Sequence, residues 1–279
     1  MARRPNRLIN LPGRQSVKIL APVAVGDFSD LCRPVGSTPN LEHNVFDMPV
    51  LIGFRALIDR LVKLYGEPGP PPVTEPFAMI LWENVAYLAN DAKRGDAFAE
   101  LQAKTGLTPA GIRKAKDVAL FSVASKGIVA AATVEKLRTA AEIARNFFHD
   151  DLAPILDKPS PAAKKDLRKF PGIGEPTAEK ILLFNQRFPV LVMDSNALRV
   201  LVRIGYAPEY PNYSTTYKNM QRALATQLPK DCKTLIRAYQ LLRQHGQELC
   251  KRNSPLCSQC PLRPDCLYFR EFAASGAPS

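Results

Sequence analysis

The 279-residue sequence contains no run of about 18 apolar residues, the length a membrane-spanning helix needs, so an integral membrane helix is excluded. The opening Met1-Ala2-Arg3-Arg4-Pro5 has no apolar core behind it, which argues against a secretion signal. Strand-like alternation is nearly absent, and no internal repeat appears. The first 26 residues carry no acidic side chain, yet they hold Arg3, Arg4, Arg7, Arg14 and Lys18. Over the whole chain 38 basic residues face 26 acidic ones, a net charge of +12. That imbalance points to a polyanionic partner, nucleic acid before others.

Proline is in excess, with 25 residues against a usual share of about 5%. Residues 1–49 hold six of them without a period and read as a basic, irregular arm. A helix follows over 50–65, where Leu51, Phe54, Leu57, Ile58, Leu61 and Leu64 recur at three-to-four spacing. The run Glu67-Pro68-Gly69-Pro70-Pro71-Pro72 then forms a stiff linker, read as a domain crossover. Helical patterns cover 76–92, 96–104, 109–115, 133–149, 161–169 and 176–188. After the apolar run 190–193 they continue over 195–204, 215–227 and 232–248. The class is mostly α.

Four of the six cysteines crowd into a C-x6-C-x2-C-x5-C pattern: Cys250, Cys257, Cys260 and Cys266. Without a secretion signal such density reads as a metal site instead of a disulfide framework. Soft thiolates select zinc or an iron–sulfur cluster. Zinc ribbons usually show two C-x2-C pairs and this chain has one, while its wide spacings suit the larger edge of a cubane cluster. Spacing alone leaves cluster, zinc and free thiols open. Cys32 and Cys232 read as small buried hydrophobes.

A second informative stretch is Phe170-Pro171-Gly172-Ile173-Gly174-Glu175-Pro176-Thr177-Ala178. Two glycines around an apolar residue permit a tight helix-to-helix turn with outward-pointing N–H groups at a helix start, where a phosphate can sit. Lys164, Lys165, Arg168 and Lys169 add charge for a nucleic-acid backbone. The alternative is a turn made for packing alone.

The PGIG hairpin with Thr177-Ala178, the segment Val192 to Val200 containing Asp194, and the cysteine spacing together resemble the helix–hairpin–helix DNA glycosylases of the endonuclease III superfamily. The resemblance spans about residues 50 to 270. It implies two helical domains flanking a DNA cleft: a six-helix barrel over 74–188, and a cluster domain built from 50–73 and 189–270, with 271–279 as a tail. It further implies a [4Fe–4S] cluster on Cys250, Cys257, Cys260 and Cys266, zinc being the weaker fit, and a base flipped out of double-stranded DNA at a lesion or mismatch. No membrane partner is implied, the protein is expected as a monomer, and its place is with the DNA, in the cytoplasm or in a nucleus or organelle. Gly172, Ile173, Gly174, Lys164, Lys165 and Lys169 become candidates for the DNA backbone. In bifunctional members a lysine stands where this chain has Pro176, which has no amine to form a Schiff base. That departure points to a monofunctional enzyme using water. Lys180, one turn on, reads as a solvated helix lysine, with a substitute nucleophile as the alternative.

Asp194 matches the superfamily's aspartate, expected both to cap the following helix and to support the cationic sugar. The apolar helix around Trp82-Glu83-Asn84 resembles that of the adenine mismatch glycosylases and places Glu83 on their catalytic glutamate. Buried there, it would hold a proton at neutral pH and protonate the leaving base or orient water; the alternative is a glutamate on an outer face. Asn196 matches an asparagine of the same enzymes, and Tyr87 or Leu88 falls where a wedge enters the duplex. Candidate substrates are mispaired adenine, uracil, hypoxanthine or an alkylated base. The competing functions are a lyase through Lys180 and a catalytically silent DNA-binding relative.

Overall fold

A computed structural model describes residues 52–86 and 89–274. Among these residues the chain forms thirteen α helices and no strand, the expected mostly α class.

α1 (Phe54–Tyr65) buries Phe54, Leu57, Ile58 and Leu61 on one face and stops at Gly66, whose φ of 76° suits a residue without a Cβ. The proline-rich segment behind it is fastened to a later helix, α12 (Cys232–Glu248): Glu67 holds Arg237 through two hydrogen bonds of 2.5 and 2.7 Å, and the Gly69 carbonyl accepts from Gln240. α2 (Pro76–Asn84) begins with Glu75 accepting from the amides of Phe77 and Ala78, and proline fits its first turn. Phe77, Ala78, Met79, Ile80 and Leu81 are all buried. A helix apolar all round belongs at the centre of a bundle.

The sequence pattern carries this helix to residue 92, but it ends at Asn84. Val85 turns extended, Ala86 takes a φ of 51°, and Asn90 restarts the chain by capping α3 (Asp91–Thr105) through the Lys93 amide. A strong N-cap inside an apolar-looking run therefore splits one expected helix into two.

α4 (Pro109–Lys114), α5 (Asp117–Ala124) and α6 (Ala130–Phe148) pack with α2 and α3. Arg138 of α6 donates to the carbonyls of Ile112, Arg113 and Ala115, satisfying the end of α4. α7 (Ala153–Leu156), α8 (Ser160–Leu167) and α9 (Glu175–Phe184) pack one on the next, and the turn between α8 and α9 is tied to α6 by Phe170 stacked on Phe148. The sequence pattern had missed α5 and α7. A second group gathers α1, α10 (Ser195–Ile204), α11 (Tyr213–Leu224), α12 and α13 (Leu267–Ala274), and α9 packs on α12 where the groups meet. The expected bounds of α10 and α12 agree with those observed.

Candidate functional site

The hairpin between α8 and α9 is built on Gly172, which has a φ of 74°. A Cβ there would also stand 2.6 Å from Oδ1 of Asn84. Asn84, buried at the end of α2, donates from Nδ2 to the carbonyls of Pro171 and Ile80, both at 2.9 Å. Helix α2 thus grips the hairpin. The amides of Gly172 and Gly174 have no acceptor among the described residues.

Two of the expected backbone contacts need correction. Ile173 is 5% exposed and its amide donates to the Phe170 carbonyl at 3.3 Å, so this residue anchors the turn from inside. Lys164 is spent on buried Glu179 at 3.0 Å and on Glu175 at 3.5 Å. Glu179, 4% exposed, also accepts from Tyr217 at 2.7 Å and Gln221 at 3.0 Å, so a buried carboxylate is fully satisfied. Burial, then Glu179, pushes the Tyr217 phenol far above its ordinary value. Lys169 pairs with Asp166 yet remains exposed, and Lys165 and Arg168 are exposed with no partner among the described residues.

α9 starts with Pro176 in its first turn. One turn further, Lys180 points inward: its ammonium is hydrogen-bonded to Glu83 and lies 5.8 Å from the centre of the Tyr239 ring. The side chains of Lys180 and Glu83 are 16% and 18% exposed. This overturns the reading of Lys180 as a solvated lysine. It also corrects the picture of Glu83 as an isolated acid in an apolar pocket, because an ammonium from the facing helix lies against it. Burial opposes the Lys180 charge, but Glu83, Tyr239 and Asp194 outweigh it and hold the group above its ordinary pKa.

Asp194 caps α10, its Oδ1 accepting from the amides of Asn196 and Ala197 at 2.9 Å each. Oδ2 meets Nε of Arg243 at 3.0 Å. Arg243 in turn holds Asp91 through two hydrogen bonds of 2.6 and 2.7 Å. Tyr239, one turn before Arg243 on α12, is 6% exposed and sits among Lys180, Asp194, Arg243 and Glu83. Burial, with the two carboxylates against the two cations, pushes its phenol up to about 12.

The crossing of α10 over α12 fixes this geometry. A Cβ on Gly246 would stand 2.6 Å from the Asn196 carbonyl oxygen and 2.8 Å from its Cβ, so the helices touch only because residue 246 is glycine. Asn196 accordingly faces α12, with Oδ1 accepting from Arg199 at 2.9 Å, which corrects its expected place at the base. Tyr87 and Leu88 lie outside the described residues. Sequence reasoning missed Arg243, Asp91, Tyr239 and Glu179. The available signal was a charge and a tyrosine four apart within the otherwise apolar face of α12.

Cys250, Cys257, Cys260 and Cys266 line one pocket with Arg203, Arg263, Tyr268 and Phe269. None of the five described cysteines is in a disulfide, and burial pushes the Cys260 thiol up to about 11. Arg203 donates to Cys250 Sγ at 3.4 Å, and the buried His245 ring lies 3.4 Å from Cys260 Sγ and 3.1 Å from the Tyr65 hydroxyl. Among the described residues no three His, Cys, Asp or Glu side chains close on a single ion position. Cys232 is half-buried, and Cys32 lies outside the described residues.

No family model matches the chain. It is 25% identical over 194 residues to endonuclease III of Sulfolobus acidocaldarius, covering 69% of this chain and 82% of that one. To endonuclease III of Rickettsia prowazekii it is 28% identical over 160 residues, 57% of this chain and 64% of that one. A solved structure of a trapped covalent intermediate of endonuclease III with DNA superposes with a TM-score of 0.63 at 18% identity, covering 78% of this chain and 96% of that one.

Proposed function

Starting from a chain that belongs to the endonuclease III-like superfamily of helix–hairpin–helix DNA glycosylases, we propose that it excises a base from double-stranded DNA by hydrolysis, without a lyase step. The observation that carries this reading is the conjunction of Pro176 at the start of α9 with two carboxylates, Asp194 and Glu83, gathered around one lysine.

Breaking an N-glycosidic bond leaves positive charge on the sugar, and a fixed carboxylate is worth most where charge develops. Asp194 is fixed by two amides and a guanidinium, so it needs no reorganisation when the cation forms. Glu83 engages Lys180 through Oε1 and keeps Oε2 to orient the attacking water. Pro176 supplies no amine. The Gly172 and Gly174 amides, with Lys165, Arg168 and Lys169 nearby, suit a phosphate of the DNA backbone. Double-stranded DNA is the partner in this reading, and its compartment is the protein's. The base is a deaminated, mispaired or alkylated one.

The four cysteines fit a [4Fe–4S] cluster: four soft donors face one pocket, with Arg203 and Arg263 to offset the charge of a thiolate-bound cluster. Bound there, such a group would brace the loop and could carry electrons.

A lyase through Lys180 is the second reading, favoured by its position one turn from Pro176. Duplexes carrying single lesions or mismatches separate the two. Strand cleavage only after hot alkali supports hydrolysis. Cleavage without alkali, together with borohydride trapping of the chain on DNA, supports the lyase. A broad panel left intact would leave a silent DNA-binding relative.

A further inference from the structure

Lys180 is a charge at the site to which hydrolysis by Asp194 and Glu83 gives no task. A buried ammonium is costly unless paired, and a leucine in its place would let α9 pack without that cost. The ammonium has three N–H donors. Glu83 is its hydrogen-bond acceptor among the described residues, which leaves two donors unspent. Beside it the Tyr239 hydroxyl, on a residue 6% exposed, also lacks a hydrogen-bond partner among those residues. Unspent donors thus sit beside Glu83, within the electrostatic reach of Asp194. Held above its ordinary pKa, Lys180 remains an ammonium and lacks the lone pair a Schiff base requires.

Heterolysis of the glycosidic bond makes two charges. The bonding pair stays on the base nitrogen as C1′ becomes cationic, and Asp194 answers only the sugar. We propose that Lys180 answers the base: its ammonium donates to a carbonyl oxygen of a neutral oxo base and stabilises that base as it leaves as an anion. Water then forms the new C1′–O bond, and the proton it releases ends on the departed base, so sugar and base are both neutral products. An ammonium repels a base that already carries positive charge. The site is therefore selective for neutral, carbonyl-bearing bases such as uracil or hypoxanthine, and it disfavours cationic alkylated bases such as 7-methylguanine. This inference rests on the glycosylase reading.

The test is single-turnover excision by the full chain on duplexes holding one uracil, one hypoxanthine or one 7-methylguanine, read after alkali. The wild-type protein should favour the neutral bases by at least about tenfold. Lys180→Met should lose about 100-fold on them, the scale of removing one preorganised donor, with little loss or a gain on 7-methylguanine, and Lys180→Arg should retain most activity. Because Lys180→Met strands a carboxylate, the pair Lys180→Met with Glu83→Gln is run beside it, with thermal unfolding and affinity for an abasic-site duplex as fold controls. Equal losses on neutral and cationic bases, or a wild-type preference for 7-methylguanine, would overturn the proposal. Borohydride trapping that disappears in Lys180→Met would also overturn it, by making Lys180 the nucleophile. No excision of any base would instead bring down the glycosylase reading on which the inference stands.

Discussion

Arg243 of α12 joins Asp194 to Asp91, one guanidinium meeting the cap of α10 through Nε and the first residue of α3 through its two terminal nitrogens. The two helix groups are therefore clamped at the carboxylate proposed to do the chemistry. Arg243→Met removes the clamp and leaves Asp194 with its capping bonds. Excision should fall by about 10- to 100-fold in kcat with little change in affinity for an abasic duplex. An equal loss in binding would show that Arg243 touches DNA instead.

Asp194→Asn keeps a side-chain oxygen for the cap and removes the charge. Unfolding should shift by less than about 1 kcal/mol, while excision drops below detection and lesion binding persists. Retained turnover would remove Asp194 from the mechanism.

Gly172→Ala meets two obstacles, a left-handed backbone and the Asn84 amide. A cost of about 1–3 kcal/mol is expected, together with weaker DNA binding and a shallower salt dependence, since the free amides of the hairpin would move. Calorimetry and binding at two salt concentrations report both.

The hydrogen bonds from Arg243, against a smaller opposing effect of burial, hold the Asp91 carboxyl below its ordinary 3.8. A depressed carboxylate stabilises the fold fully above the unfolded value, and that stability is lost as pH falls through the folded value. Acid unfolding followed by circular dichroism should therefore steepen below about pH 4, and Asp91→Asn should lower stability throughout pH 5 to 8, where the charged carboxylate contributes fully, and flatten the acid limb.

Purified without chelators, the chain should be brown and carry about four irons with labile sulfide. Cys260→Ser should lower the iron content and Tm together. One tightly bound zinc and no iron would assign the pocket to zinc.

Much of the helix order was legible because burial leaves a three-to-four period in the sequence; α10 and α12, with apolar faces, lay where their spacing put them. The break after Asn84 was not legible, since the apolar pattern runs on past it towards Asn90, the cap of α3, while Asn84 is held by Pro171, 87 residues away. The same limit governed the site. Asp194 was readable as a cap because capping is local. Lys180 looked like a surface lysine because its partner, Glu83, lies on another helix, and Lys164 looked available to DNA because nothing nearby in sequence announced that Glu179 would be buried beneath it.

The glycine contact between α10 and α12 has one more consequence. Arg199 spans that contact, donating to the Gly246 carbonyl, to the Cys250 carbonyl and to Asn196. Arg243 lies on α12, whose last residue, Glu248, stands two residues before Cys250. Arg199 therefore ties the first cysteine of the loop to Asn196, whose amide Asp194 caps, and oxidation of the loop is expected to weaken excision with every residue of the site chemically intact.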